Sequence, residues 1–229
     1  MTLEALARLN YKLKMIGSDM TVVMFFITNR PCHSINPDVL NSRAVMEELR
    51  KSSEGMGRDV GEKLFNYLSS HSGNSNLPDL NDFINETTKF RIKRTLQSWN
   101  TNTLPPVVTH NIVDDYKDEI LGFVRSAGLI NKKDDRVKIV YHPAFISPDN
   151  PLFGMEYSEF VRGCHLGVFP SYYEPWGYTP CESLASGVPA VTSDLAGFGD
   201  YVENFTSGDE SRGIKVLHRR GRAFDQSAE

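Results

Sequence analysis

The chain has 229 residues, of which 40% are hydrophobic, 24% charged and 10% aromatic; this is enough apolar surface for a packed domain and too much for a disordered or fibrous protein. Twenty-five Lys and Arg against 29 Asp and Glu leave a net charge of -4, which disfavours nucleic-acid binding by phosphate neutralisation. The length suits one large domain, or one domain with an insertion, and is short for two.

Residues 3 to 16 place Leu3, Leu6, Ala7, Leu9, Tyr11, Leu13 and Ile16 among charges, which predicts a helix closed by Gly17. The first 20 residues therefore do not read as a signal peptide, and no apolar run is long enough to span a membrane, so a soluble, cytoplasmic protein is expected. Next comes Thr21 to Ile27, an unbroken apolar run of strand length that suits a strand covered on both faces. Shorter runs recur at 107–109, 137–141, 166–169, 189–192 and 214–217, each after a plausible helix or turn. That alternation predicts an α/β fold with a Rossmann-like, doubly wound parallel sheet.

Residues 38–103 interrupt the rhythm. They are polar, include a Ser, His, Gly and Asn-rich stretch at 70–75, and offer no convincing strand. They read as a helical insertion with two arms, one carrying Val45, Leu49, Val60, Leu64 and Leu68, the other Phe83, Phe90, Leu96 and Trp99. Gly55, Gly57 and Gly61 should weaken the first arm, each costing about 1 kcal/mol of helix propensity. The expected domain division is 1–37 with 104–229 as the sheet-bearing body and 38–103 as the insertion. The insertion is either a solvated hairpin or a subunit interface.

Cys32, Cys164 and Cys181 have no CxxC spacing, which fits a reducing compartment and argues against a disulfide framework or zinc site. No two aspartates stand two apart, so no metal or other cofactor is expected. Asn85-Glu-Thr and Asn204-Phe-Thr are read as chance matches to the glycosylation triplet. His110 and His142 fall at strand ends near the expected cleft and read equally well as structural residues.

The informative stretch is 166–205. A strand at 166–169 runs into a loop with Tyr172, Tyr173, Trp176 and Tyr178, then into a helix near Pro180. Thr179 reads as its N-cap, Pro180 as its first position, Glu182 as the capping-box partner and Gly187 as its stop. A helix N-terminus beyond the carboxyl end of a parallel strand favours an anion such as a diphosphate. Glu174 and Glu182 bracket that corner. Glu182 is either a cap or a ligand group; Glu174, set among four aromatics, would be desolvated unless it accepted hydrogen bonds, and sugar hydroxyls are suitable donors.

The segment from Phe160 to Pro180, above all Tyr172-Tyr-Glu-Pro-Trp-Gly-Tyr-Thr-Pro180, resembles the signature of eukaryotic-type glycogen synthases. The likeness continues through Glu4 to Tyr11, Thr21-Val-Val, Pro106 to Asn111, Asp114-Asp115, Asp135 to Lys138, His142-Pro143 and Gly197-Phe-Gly199. The spacing from Glu174 to Glu182 is shared by several retaining glycosyltransferase families; the aromatic string is far more specific. After Pro180 this chain has Cys-Glu-Ser-Leu-Ala-Ser-Gly, where close animal and fungal members typically carry Ala before the Glu.

The resemblance implies the C-terminal, nucleotide-sugar-binding lobe of a two-lobed (GT-B) retaining glucosyltransferase, moving glucose from UDP-glucose to the non-reducing end of an α-1,4-glucan such as glycogen. It implies a homo-oligomer built through the insertion, glycogenin as a partner of the full-length protein, and no nucleic acid, membrane or metal. Matching positions carry the implied roles. Tyr157 stacks on uracil, while Phe145 and Ile146 lie at a backbone contact to the base. Tyr178 and Thr179 form the diphosphate turn, and Glu182 accepts the ribose hydroxyls. Trp176 and Gly177 shape the glucose pocket, and Glu174 is the acidic residue beside the donor glucose. The family's phosphate-clamping Arg and Lys are expected before the first helix and its glucose 6-phosphate helix after Glu229. His218-Arg-Arg-Gly-Arg222 is accordingly read as a solvated basic turn. Two alternatives remain: a binding and assembly module without turnover, and another retaining two-lobed glycosyltransferase.

Overall fold

The computed structural model describes residues 1–71, 77–99, 104–206 and 213–222. Helix α1 (Thr2–Met15) buries Leu6, Asn10 and Leu13 and closes at Gly17, whose φ of 65° turns the chain out of the helix. Strand β1 (Val22–Ile27) pairs in parallel with β4 (Val137–His142), from Val22 against Val137 to Ile27 against His142. The core lies beneath this pair: Leu6, Val124, Leu129, Val137 and Ile139 are buried together, with Leu3, Met24, Phe26 and Ile120 packed against them. Val124 belongs to α4 (Glu119–Ser126), capped by the Asp118 carboxylate, which accepts from the N–H of Leu121 at 2.9 Å. β1 is covered less fully than its apolar run implies, since Val23 is 48% exposed.

The strand expected at 107–109 reduces to a parallel bridge of Val108 to Tyr141, held by Tyr141 N–H to Val107 O at 2.7 Å and Thr109 N–H to Tyr141 O at 2.9 Å. A second sheet runs β5 (Gly167–Val168), β6 (Ala190–Ser193), β7 (Ile214–Leu217), all parallel. The fold is thus mixed α/β with parallel sheets, as expected. One ribbon was not anticipated. β2 (Cys32–Ile35) and β3 (His110–Ile112) pair antiparallel, Cys32 opposite Ile112 and Ile35 opposite His110.

From β2 the chain enters α2 (Pro37–Ser70), 34 residues long, started by Asn36, whose side chain accepts from the N–H of Asp38 at 3.0 Å, with Pro37 in the first turn. The helix runs unbroken through Gly55, Gly57 and Gly61, where a Cβ would meet nothing within 4 Å. The glycine cost is therefore carried without interruption and without a close-packing reason. A short 3-10 turn (Leu80–Phe83) leads to α3 (Glu86–Trp99), which packs along α2. Lys63 reaches across to the carbonyl of Phe83 at 2.9 Å. The pair buries almost nothing: Ser52 is the one buried residue of α2 and α3 has none. Asn85 accepts from Thr87 N–H at 3.0 Å, so the first glycosylation-like triplet is part of the entry to α3. Most of the polar stretch at 70–75, and the expected boundary at 103, lie outside the described residues.

A buried polar node joins α1 to the turn before β4. Asn10 Oδ1 accepts from the N–H groups of Arg136 (2.8 Å) and Val137 (3.1 Å), while its amide donates to Asp135 Oδ1 at 3.1 Å. Lys14 donates to the same carboxylate at 2.7 Å. Burial pushes the Asp135 pKa up, but hydrogen bonds from Lys14, Asn10 and the Lys132 N–H outweigh it and hold the carboxyl below its ordinary value.

Candidate functional site

The expected capping of the central helix is overturned. Helix α6 spans Tyr178–Ala185, and its N-cap is Gly177 at φ 95°, with no side-chain cap. Thr179 and Pro180 lie inside the first turn, so Glu182 is not a capping-box partner. The physical reason is a close approach: a Cβ at 177 would stand 3.3 Å from Glu174 Cγ, and only a glycine can also take the left-handed turn that starts the helix there. The helix stops as expected. Gly187 has φ 77°, with Val188 N–H to Ser183 O and Gly187 N–H to Leu184 O, both at 2.9 Å, the pairing of a Schellman cap.

Freed from capping, Glu182 faces Tyr157, the first residue of α5 (Tyr157–Arg162). The two line one cleft of about 280 Å³ with Ser158, Val161, Ala185 and Ser186. Burial raises the Tyr157 phenol pKa, and the negative charge of Glu182 adds to it. α5 is anchored from below by aromatic edges: Phe160 meets Phe25 of β1 at 5.5 Å and Phe153 at 5.4 Å. Ile146 is buried at 7% exposure while its neighbour Phe145 is 70% exposed, so the two side chains have opposite environments.

Glu174 is not enclosed by aromatics. Tyr172, Tyr173 and Tyr178 are 71%, 81% and 71% exposed, and Glu174 is itself exposed; the desolvation expected for it is absent because the rings point outward. Its backbone, by contrast, is fixed. Glu174 forms a parallel bridge to Ala196, Gly197 N–H donates to Glu174 O at 3.1 Å, and Phe198 N–H donates to Trp176 O at 2.7 Å. Trp176 packs edge-on to Phe198 at 5.7 Å and against Tyr201 at 5.7 Å, both on α7 (Gly197–Thr206). Cys181 has its pKa raised, by burial first and by Glu182, against the lowering effect of a hydrogen bond from Trp176.

His110 and His142 are both buried. His142 is 0% exposed, with Asn150 Nδ2 donating to Nε2 at 3.0 Å and Nδ1 at 2.8 Å from Thr109 Oγ1. Burial, then the neighbouring His110, pushes its pKa down to about 4. It is therefore neutral, and the Asn150 bond puts its ring proton on Nδ1.

Sequence reasoning missed Arg219. The 218–222 segment is not simply a solvated turn: the N–H groups of Arg219 and Arg220 donate to Asp194 Oδ1 (2.8 Å) and Oδ2 (3.2 Å). The Arg219 guanidinium donates to the carbonyls of Pro170 (3.2 Å) and Ser171 (3.1 Å) and lies 3.9 Å over the Tyr172 ring. Among the described residues no group of three or more His, Cys, Asp or Glu could hold a metal ion, and no helix is long and apolar enough to cross a membrane.

Parallel strands alternating with helices define a mixed α/β protein. A family model described as Glycogen synthase matches residues 1–229, and the chain belongs to the glycogen synthase family. It is 44% identical over 225 residues to the liver glycogen (starch) synthase of Homo sapiens, covering 98% of this chain and 31% of that protein. It is 41% identical over 237 residues to glycogen (starch) synthase isoform 1 of Saccharomyces cerevisiae, covering 100% of this chain and 34% of that protein. The chain thus spans about a third of the length of these relatives.

Proposed function

We propose that the chain is the donor-binding, C-terminal part of a cytoplasmic glycogen synthase of the GT-B architecture. The whole enzyme transfers glucose from UDP-glucose to the non-reducing end of an α-1,4-glucan with retention of configuration. The observation that carries this reading is the cleft between α5 and α6, where Tyr157 offers a ring and Glu182 an uncommitted carboxylate. In this reading Tyr157 stacks on uracil beside the backbone at Phe145 and Ile146, and Glu182 accepts the ribose hydroxyls. Tyr178 and Thr179 hold the diphosphate at the start of α6, Trp176 and Gly177 bound the glucose, and Glu174 stands beside the transferred sugar. No metal is required. The chain alone binds the donor nucleotide weakly without turning it over, because catalysis also needs acceptor-side groups fixed in the same geometry. Calorimetry with UDP tests the reading: weak binding is expected, and glucose transfer by the chain alone, or no UDP binding at any concentration, would overturn it.

The segment 38–103 is the proposed oligomerisation element, and glycogenin remains a proposed partner of the intact protein. Support for oligomerisation comes from the apolar groups that α2 and α3 leave exposed, including Phe65 at 71% and Phe90 at 69%. Replacing 38–103 with a short linker in the intact enzyme should lower its sedimentation coefficient to that of a smaller assembly. An assembly that keeps the same number of subunits would remove the proposal.

A further inference from the structure

The loop from β5 to α6 carries Glu174, and it is gripped at both ends. At its exit, Gly197 and Phe198 hold the carbonyls of Glu174 and Trp176. At its root, the Ser171 carbonyl accepts from Ser193 Oγ at 2.7 Å and from Arg219 Nη1 at 3.1 Å, and the Pro170 carbonyl accepts from the same nitrogen at 3.2 Å. Arg219 is itself placed by Asp194, a carboxylate on a residue 6% exposed, which takes the N–H groups of Arg219 and Arg220. Asp194 N–H in turn donates to Leu217 O at 3.1 Å, tying the ends of β6 and β7. Only Tyr172 and Tyr173 separate the held root from Glu174.

We propose that Arg219 is a positioning residue for glucose transfer: it fixes the root of the β5–α6 loop so that Glu174 stands at the donor sugar. This rests on the reading that Glu174 flanks the transferred glucose. A planar guanidinium can donate in its plane to the two carbonyls while its face lies on the Tyr172 ring; an ammonium group has no such face and cannot hold the same fixed geometry. The stack is at the surface, since Tyr172 is 71% exposed, so its purpose is not core packing. Small displacements of a catalytic group are costly, a shift of about 1 Å lowering rates by up to roughly a hundredfold.

The test uses the intact enzyme with Arg219→Gln, Arg219→Lys, Tyr172→Phe and Glu174→Gln, measuring kcat and KM for UDP-glucose, UDP affinity by calorimetry, and melting temperature. Arg219→Gln should lower kcat about tenfold or more while UDP affinity changes less than about threefold, the signature of an interaction needed in the transition state rather than for nucleotide binding. Arg219→Lys should recover only part of that loss, and Tyr172→Phe, which keeps the ring, should match the unaltered enzyme. Should Arg219→Gln fail to fold, Tyr172→Leu removes the stacked ring without touching Asp194 and should give a smaller fall in kcat at unchanged UDP affinity. An unchanged kcat in Arg219→Gln, or a kcat that falls only in step with UDP affinity and melting temperature, overturns the proposal. Glu174→Gln separates the two ideas. Full activity there overturns the reading of Glu174 itself, whereas an inactive Glu174→Gln beside a fully active Arg219→Gln overturns the positioning role alone.

Discussion

The N–H of Gly197 donates to the carbonyl of Glu174 at 3.1 Å, joining the start of α7 to the loop that carries the acidic residue. The contact is possible because residue 197 has no side chain: a Cβ there would collide with the Pro175 carbonyl. Backbone cannot yield as a flexible side chain can, so Gly197→Ala must push the loop away from α7. A stability loss of about 1–3 kcal/mol is expected from such overpacking. Activity of the intact enzyme should fall further than that loss explains, because Glu174 and Trp176 move with the loop. Denaturant unfolding alongside kinetics checks both, and wild-type kinetics in a folded Gly197→Ala protein would show that the loop position is unimportant.

Glu182 provides a cleaner separation of folding from binding. Because α6 is started by Gly177 and not by a Thr179–Glu182 capping box, Glu182→Gln should leave stability within about 0.5 kcal/mol, the range of an ordinary surface change. UDP affinity should drop, since an amide accepts from ribose hydroxyls more weakly than a carboxylate does. Tyr157→Ala should weaken binding too, by removing the ring opposite Glu182. A melting temperature that falls while UDP affinity holds would return Glu182 to a structural role.

Much of the fold was legible because the relevant signal is local. The run at 21–27 is unbroken apolar sequence and those at 137–141, 189–192 and 214–217 are short and mostly apolar or β-branched, and each overlaps a strand in a parallel pair. The long helix α2 was legible in kind, but its persistence through three glycines was not, because propensity is summed over 34 residues and a few unfavourable ones do not break it. The ribbon of β2 and β3 escaped notice since Cys-His-Ser-Ile and His-Asn-Ile are short and polar, and each finds its partner only across the α2–α3 segment. Capping chemistry at Thr179 points to the wrong start for α6, because a tertiary contact, Gly177 against Glu174, decides it. Arg219 was invisible for a related reason. Its partners are main-chain carbonyls at 170 and 171, and a carbonyl leaves no trace in sequence.

Acid should weaken the link between α1 and β4 in a defined way. The folded-state pKa of Asp135 is depressed below its ordinary value, so its stabilisation is fully present above the unfolded carboxylate value, about 3.9, and is lost as pH falls through the lower folded value. Asp135→Asn should cost about 1–3 kcal/mol at neutral pH, because the Lys14 ion pair goes and the Lys132 N–H loses a charged acceptor. As pH falls through that lowered folded-state value, the gap between variant and parent should close as the parent carboxylate protonates. Lys14 behaves oppositely. Its pKa is raised by hydrogen bonds to Asp135 and Asp134, so its contribution persists at neutral pH and fades only as alkali passes its elevated value. Urea denaturation across the acid range tests the carboxylate, and a pH-independent Asp135→Asn difference would show that shape rather than charge is at stake.

Cys181 reports on the nucleotide position without altering the site. It sits in the first turn of α6, where a helix dipole would favour thiolate, yet burial and Glu182 raise its pKa. Unactivated alkylation, slow at neutral pH and accelerating as pH rises toward the thiol pKa, is therefore expected. Cys32 lies on β2, with its sulfur 3.9 Å from the Pro143 carbonyl. If UDP occupies the cleft beside Tyr157 and Glu182 with its phosphates at Tyr178 and Thr179, saturating nucleotide should slow labelling of Cys181 by a bulky reagent several-fold and leave Cys32 unchanged. Mass spectrometry of both peptides from one reaction supplies the comparison, with Cys32 as the internal control for a global change in opening. Protection of Cys32 without protection of Cys181 would move the nucleotide off α6 and toward the β2–β3 ribbon.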